Sequence, residues 1–301
     1  MNNNSVGIFI PTYNEEENLK VLLPLIKKQT IHVEQIVIFD SGSTDKTVNI
    51  AEEYGCIIGC ISNNDFNHGV TRNEAVKLLN TDFILVTVAD SKPVNELWIE
   101  KLLSGFSSKN VVAVVGPQGS PANSSYYPRE WLVSRMKSRH QAFSLLAPEF
   151  GPATDDCNTL YRRSALLELK FPRTSFGEDV MWSKLVKEKG YEISMIPEAG
   201  VYHYHKKSYY HFKERSIHVQ MSLDKYFNLD YGSTFNKGFH AFYLFILDYF
   251  KVLPFVGIKT WLKWFPFNLL MAKARMAGFR EYYKNGLGNA GLLRREELQK
   301  R

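Results

Sequence analysis

The chain has 301 residues, 45% hydrophobic and 23% charged, enough for one large domain or a domain with an appendage. Its net charge of +6 is unevenly placed: residues 231–301 hold 12 Lys/Arg against 4 Asp/Glu, a local +8, which leaves residues 1–230 at −2. A body without excess positive charge argues against nucleic-acid binding, while the basic tail calls for an anionic partner.

No apolar run approaches the roughly 20 residues needed to span a bilayer. The first residues, Met1-Asn2-Asn3-Asn4-Ser5, lack the basic and apolar stretches of a signal peptide. Cys56, Cys60 and Cys157 form no CxxC pair and fit a reduced, cytoplasmic compartment.

Val6 to Ile10 reads as a first strand. Pro11-Thr12-Tyr13-Asn14 then leads into a helix with Asn14 as N-cap and Glu15, Glu16 and Glu17 in the first turn. Leu19, Leu22, Leu23 and Ile26 form its apolar stripe, and Pro24 is expected to kink or shorten it. Gln35 to Phe39 is a second strand ending on Asp40. Ser41-Gly42-Ser43-Thr44-Asp45 forms a turn that caps a helix from about Lys46 to Tyr54, and Cys56 to Ile61 is a third apolar run. Alternating strands and helices predict a parallel sheet with helices on its faces. Asn67-His68-Gly69-Val70-Thr71-Arg72-Asn73 opens a helix to about Leu79. Arg72 falls in its first turn, where a cation opposes the helix dipole and hints at an anionic partner. Phe83 to Ala89 reads as a strand buried on both faces that stops on Asp90, before the loop residues Ser91-Lys92-Pro93. Ligands of open α/β sheets bind outside the carboxyl ends of strands, so Asp90 is placed to hold a divalent cation; a helix cap or loop acid is the plainer role.

Trp98 to Phe106 reads as a helix and Val111 to Val115 as another buried strand. The polar stretch Gly116 to Pro128, with Tyr126 and Tyr127, reads as a mobile loop over a site, and Glu130 to Leu146 as an amphipathic helix. Cys157 to Tyr161 resumes a strand; Arg162 and Arg163 after it either contact phosphate or precede a helix. Ser175-Phe176-Gly177-Glu178-Asp179 starts a helix through about Lys189, and Tyr191 to Ile196 is a last strand. His203 and His205 alternate and share one side if extended, as metal ligands, diphosphate contacts or half-buried histidines. From about Tyr231 aromatics dominate. Phe239, Phe242, Tyr243, Ile246 and Phe250 keep helical spacing, Pro254 and Gly257 interrupt, and Trp261, Trp264, Phe265 and Phe267 follow among Lys259 and Lys263. Such a tail either lies on an anionic bilayer or packs as helices on the body or across a homodimer.

The phosphate fingerprints GxGxxG and GxxxxGK[ST] are absent, which argues against a dinucleotide oxidoreductase or a P-loop enzyme. Ile10-Pro11-Thr12-Tyr13-Asn14-Glu15, Phe39-Asp40-Ser41-Gly42-Ser43-Thr44-Asp45, Thr71-Arg72-Asn73 and the Asp90 strand end together resemble glycosyltransferase family 2 over roughly residues 5–215. With Asn67-His68-Gly69, Asn158-Thr159-Leu160-Tyr161-Arg162-Arg163, Phe176-Gly177-Glu178-Asp179 and Val201-Tyr202-His203-Tyr204-His205, the chain is most similar to bacterial rhamnosyltransferase-like members.

The resemblance implies an α/β GT-A fold with a mostly parallel central sheet and a C-terminal helical extension: a catalytic domain over 1–230 and an aromatic, basic helical tail over 231–301. It implies inverting transfer of a sugar, rhamnose among the options, from a dTDP- or UDP-sugar to a hydroxyl of a glycan or lipid-linked acceptor. The setting implied is surface polysaccharide assembly at the inner face of the cell membrane. It implies Mg²⁺ or Mn²⁺ at Asp90, with His203 or His205 as further candidates, since Ala89-Asp90-Ser91 supplies one carboxylate where many members have two or three. It assigns the donor nucleotide to Pro11, Thr12, Tyr13, Glu15, Asp40, Ser41, Gly69, Arg72, Ala89 and Asp90, and the catalytic pair to Glu178 and Asp179, Asp179 being the base. Two alternatives stand beside it: a sugar nucleotidyltransferase, and a non-catalytic partner of a membrane assembly that keeps the fold.

Overall fold

The computed structural model describes residues 4–62, 65–119, 153–174, 177–203, 208–210, 213–214, 217–218 and 234–284. Tyr126, Tyr127, the expected helix at Glu130 to Leu146, Phe176 and His205 lie outside the described residues. The chain divides into two compact units. One carries the described residues from Asn4 to His203 except Gly177; the other carries Gly177 and the described residues from Ser208 on.

In the first unit the strands β1 (Val6–Thr12), β2 (Val33–Asp40), β3 (Ile57–Cys60), β4 (Phe83–Thr87), β6 (Val111–Val115), β8 (Asn158–Arg162) and β9 (Glu192–Met195) form a seven-stranded sheet. Its order is β3-β2-β1-β4-β8-β6-β9. Every pairing is parallel except those of β8, which runs against β4 and β6. The helices are α1 (Glu16–Lys27), α2 (Thr47–Glu53), α3 (His68–Leu78), α4 (Trp98–Ser104), α5 (Arg163–Glu168) and α6 (Glu178–Glu188). Strand side chains alternate between two cores. Ile8, Ile10, Ile38 and Leu85 pack with Leu22 and Leu23 of α1, Ile50 of α2 and Trp98 of α4. Phe9, Val37, Ile84 and Val86 pack with Val76 of α3, Leu166 of α5 and Trp182 of α6. That period of two explains why the central strands read as continuous apolar runs: both faces are covered. Burial of each such side chain contributes about 1.5–3 kcal/mol.

A second sheet orders β5 (Lys92–Pro93), β10 (Val201–Tyr202) and β7 (Gln118–Gly119), with β10 in the middle. Asn158 at the start of β8 ties the two sheets. Its Nδ2 donates to the carbonyls of Pro117 (3.2 Å) and Ala199 (2.8 Å), and its Oδ1 accepts from Trp98 Nε1 (2.8 Å).

Several local expectations change. Asn14 does not cap α1: it sits at φ 55°, and Glu15 precedes the helix without a side-chain cap. Helix α1 continues through Pro24 to Lys27. Strand β4 stops at Thr87, so Ala89 and Asp90 lie in a turn.

In the second unit α7 (Thr234–Lys284) is one helical segment of 51 residues. The Phe250 and Trp261 rings nevertheless lie 5.1 Å apart, whereas eleven residues of straight helix rise about 16 Å. The helix is therefore bent between them, where Pro254 and Gly257 fall; the expected interruption is a bend rather than a break. Trp261, Met271, Ala272 and Tyr282 are buried, whereas Tyr243, Phe250, Ile258, Leu262 and Phe265 are exposed beside exposed Lys259 and Lys263. Among the described residues no helix is long and apolar enough to cross a membrane.

Candidate active site

The register of β1 against β2 pairs Thr12 with Asp40, so both reach the same carboxyl edge of the sheet. Buried Thr12 donates through Oγ1 to Asp40 Oδ1 (3.2 Å). Asp40 Oδ2 accepts from the N–H groups of Gly42 (2.9 Å) and Ser43 (2.8 Å), and Oδ1 accepts from Ser43 Oγ (2.5 Å). Ser41 donates from both N and Oγ to Thr12 O, each at 3.0 Å. Asn14 and Asp45 then stitch the two loops. Asn14 N donates to Ser43 Oγ (2.8 Å), and Asn14 Oδ1 accepts from Thr44 N (2.8 Å). Asp45 accepts from Glu16 N (3.2 Å) and Thr47 N (2.9 Å), serving the starts of α1 and α2 together. Glu15 N donates to Thr47 Oγ1 (2.8 Å), and Glu15 Oε2 accepts from Asn18 (2.7 Å). Pro11 is half-buried and Tyr13 is exposed at the rim.

Asp90 follows β4 at the same edge, half-buried, with buried Ala89 before it. Its Oδ1 lies 3.4 Å from His203 Nε2. The small sheet makes this meeting: β5 follows Asp90, β10 precedes His203, and Val201 of β10 stands in register with Gln118 of β7. Gln118 Nε2 donates to Asp155 Oδ2 (2.5 Å), and Gln118 Oε1 faces His203 Nδ1. An ionised carboxylate only accepts, so Asp155 turns the Gln118 amide nitrogen toward itself and leaves the oxygen for His203. Nδ1 is then the donor to Gln118, and Nε2 is the nitrogen presented beside Asp90. A ring held through its other nitrogen is the usual arrangement of a metal-ligating histidine. Among the described residues no group of three or more His, Cys, Asp or Glu is arranged to hold a metal. The Asp90–His203 pair fits a cation whose remaining ligands are phosphate oxygens and water.

Glu178 and Asp179 open α6. Glu178 is buried and Oε1 lies 2.8 Å from Arg72 Nη1; Arg72 Nε lies 2.5 Å from Asp156 Oδ2. Asp156 N donates to Asp179 Oδ2 (3.3 Å), and Tyr161 Oη donates to Asp156 Oδ1 (2.5 Å). Burial first, then the charges of Glu178 and Asp156, push the half-buried Asp179 carboxyl up to about 7; Arg72 opposes this. Burial likewise raises Asp156 to about 6 against the pull of Arg72.

Arg72 and Gly69, expected at the donor, have other partners here. Arg72 is buried between two carboxylates rather than exposed on the first turn of α3. A Cβ on Gly69 would meet the Pro172 carbonyl oxygen at 2.1 Å, so the glycine lets α3 touch the segment that leads to α6. Asn67 and Asn73 grip that same segment. Asn73 exchanges hydrogen bonds with Phe171 N (3.0 Å) and O (2.9 Å), and Asn67 Nδ2 donates to Thr174 O (3.0 Å). Arg162 belongs to the opposite edge, in register with Phe83, and donates to Val111 O (2.9 Å), so it precedes a helix rather than contacting phosphate.

Sequence reading missed Asp155, Asp156 and Gln118. The two acids stand immediately before a buried strand, which is a visible signal. Their meaning depends on β8 being antiparallel, because only then does the start of the strand lie at the edge where the others end.

A mostly parallel sheet with one reversed strand and an acidic carboxyl edge is the GT-A fold of glycosyltransferases. Glucosyl-3-phosphoglycerate synthase from Mycobacterium tuberculosis shares it (TM-score 0.56, 15% identity, 76% of this chain and 81% of that one). So does the mannosyltransferase PcManGT from Pyrobaculum calidifontis, solved with GDP-Man and Mn²⁺ (TM-score 0.58, 16% identity, 98% and 83%). The chain belongs to glycosyl transferase family 2, whose profile matches residues 7–170. Its relatives include the O-antigen chain rhamnosyltransferases WbaN of Salmonella anatum and RfbN of Salmonella typhimurium. They are 30% and 28% identical, over 92% and 91% of this chain and 88% of each relative.

Proposed function

We propose that this glycosyltransferase moves rhamnose from a dTDP-linked donor to a hydroxyl of a lipid-linked saccharide, with inversion, in assembly of a bacterial surface polysaccharide. The two rhamnosyltransferase relatives, matched across nine-tenths of the chain, support the sugar and the setting. The observation that carries the chemistry is Asp179, half-buried at the start of α6 with its carboxyl raised to about 7. A base with that affinity for protons is about half ionised at neutral pH, and its ionised form takes a proton from an acceptor hydroxyl as the new bond forms. Attack at the anomeric carbon opposite the diphosphate gives inversion in one displacement.

The donor side of this reading comprises Thr12, Asp40 and Ser41 with Pro11, Tyr13 and Glu15 at the β1 edge, and Ala89 and Asp90 after β4. Asp90 and His203 would hold Mg²⁺ or Mn²⁺. The cation, when bound, neutralises charge on the departing nucleoside diphosphate. Residues 1–230 form the catalytic domain in this reading. Residues 231–301 form the tail, which carries the enzyme to the anionic inner face of the membrane. Family membership sets aside the nucleotidyltransferase alternative.

Calorimetric titration with dTDP and UDP, each with and without Mn²⁺, tests the donor assignment. Metal-dependent binding with dTDP preferred supports it. A UDP preference discards rhamnose and keeps the transferase, and binding to neither nucleotide favours a non-catalytic role.

A further inference from the structure

Arg72 is 5% exposed, and its described contacts all point inward: to Asp156, to Glu178 and, through Nη1, to the His68 carbonyl (3.0 Å). A diphosphate reaching this guanidinium would have to displace two carboxylates. The segment carrying Asp156 also grips the start of α6. Thr154 Oγ1 donates to the Asp179 carbonyl (2.9 Å), Thr154 N donates to Ser183 Oγ (2.8 Å), and Asp156 N reaches the Asp179 carboxylate. Tyr161, packed edge-on against both Phe171 and Trp182 with ring centroids 5.6 and 5.0 Å away, fixes Asp156 in turn. We infer that Arg72 and Asp156 are positioning residues of the Asp179 base, assembled by α3 and the start of β8, and are not donor contacts.

This inference rests on the reading of Asp179 as the base. The groups facing Asp179 are Glu178 beside it on α6, Asp156 and Tyr161 from the β8 side, and Arg72 from α3. His68, whose affinity for a proton burial lowers, faces Glu178 and Arg72. Three carboxylates around one guanidinium cannot all ionise readily. Asp156 and Glu178 take the direct ion pairs with Arg72, while burial and these like charges raise Asp179 to about 7. The unusual affinity of the base is thus built by residues that touch no substrate.

The test is a ¹³C titration of aspartate carboxyls in the full chain, with the Asp179 resonance identified by its loss in Asp179→Asn. Asp156→Asn removes a like charge and leaves Arg72 less neutralised. The Asp179 titration is expected to move about one unit toward lower pH, with affinity for dTDP in Mn²⁺ unchanged within twofold. An unmoved titration, or a fall in dTDP affinity, overturns the inference. If Asp156→Asn does not fold, Arg72→Lys serves, because an ammonium cannot fork between two carboxylates. Slowed transfer from dTDP-rhamnose with unchanged dTDP affinity supports the inference, and weakened dTDP binding overturns it. Transfer retained by Asp179→Asn overturns the base reading itself, whatever the titration shows.

Discussion

Asp179 shows how one carboxyl is set against the stability of its own domain. A carboxyl whose affinity for protons rises on folding favours the folded state when protonated. Its contribution is fully present below about pH 4, where the unfolded group also holds its proton, and is lost as pH rises toward 7. Asp179→Asn should therefore melt at a higher temperature than wild type at pH 8, with the difference closing near pH 4 in calorimetric scans. The same variant should lose about 10²–10⁴-fold in transfer, and wild-type kcat/KM should climb with pH through about 7. Gly69→Ala should cost about 1–3 kcal/mol in urea unfolding, since its Cβ would meet backbone rather than a flexible side chain. Residue types at the edge were legible beforehand, Asp40, Asp90 and Asp179 among them. Their partners were not. A first-turn arginine looks the same in sequence whether it faces a phosphate or two buried acids.

Among elements, the seven-stranded sheet was readable because each central strand is apolar on both faces. The two-residue strands were not, since β5, β7 and β10 carry no periodicity to detect. Yet this small sheet sets Gln118 against His203. Gln118→Met keeps volume and removes both polar contacts; if His203 holds the proposed cation, losing such a support costs roughly 10–100-fold in metal affinity. Mn²⁺-dependent dTDP binding should weaken by about that factor, while binding without metal stays unchanged in the same calorimeter. The reversed strand β8 is the other element that sequence left open, because an apolar run has no direction until its neighbours are known. Its reversal carries Asp155 and Asp156 to the working edge.

Over the whole molecule, charge asymmetry was the feature most plainly written in composition, with +8 confined to residues 231–301. The exposed Ile258 and Leu262 beside Lys259 and Lys263 give that charge an apolar companion on α7. Ile258→Glu with Leu262→Glu should abolish sedimentation of the full chain with vesicles containing anionic lipid, and leave dTDP affinity untouched. Retained sedimentation would remove this face from membrane contact.

The Asp90–His203 pair joins a residue from the first third of the chain to one two-thirds of the way along it. During translation Thr12, Asp40 and Asp90 leave the ribosome well before His203 does. A nascent chain stalled before that point has most of its sheet residues but only half of this pair. If this pair holds the proposed cation, that site is complete only in chains long enough to close the small sheet.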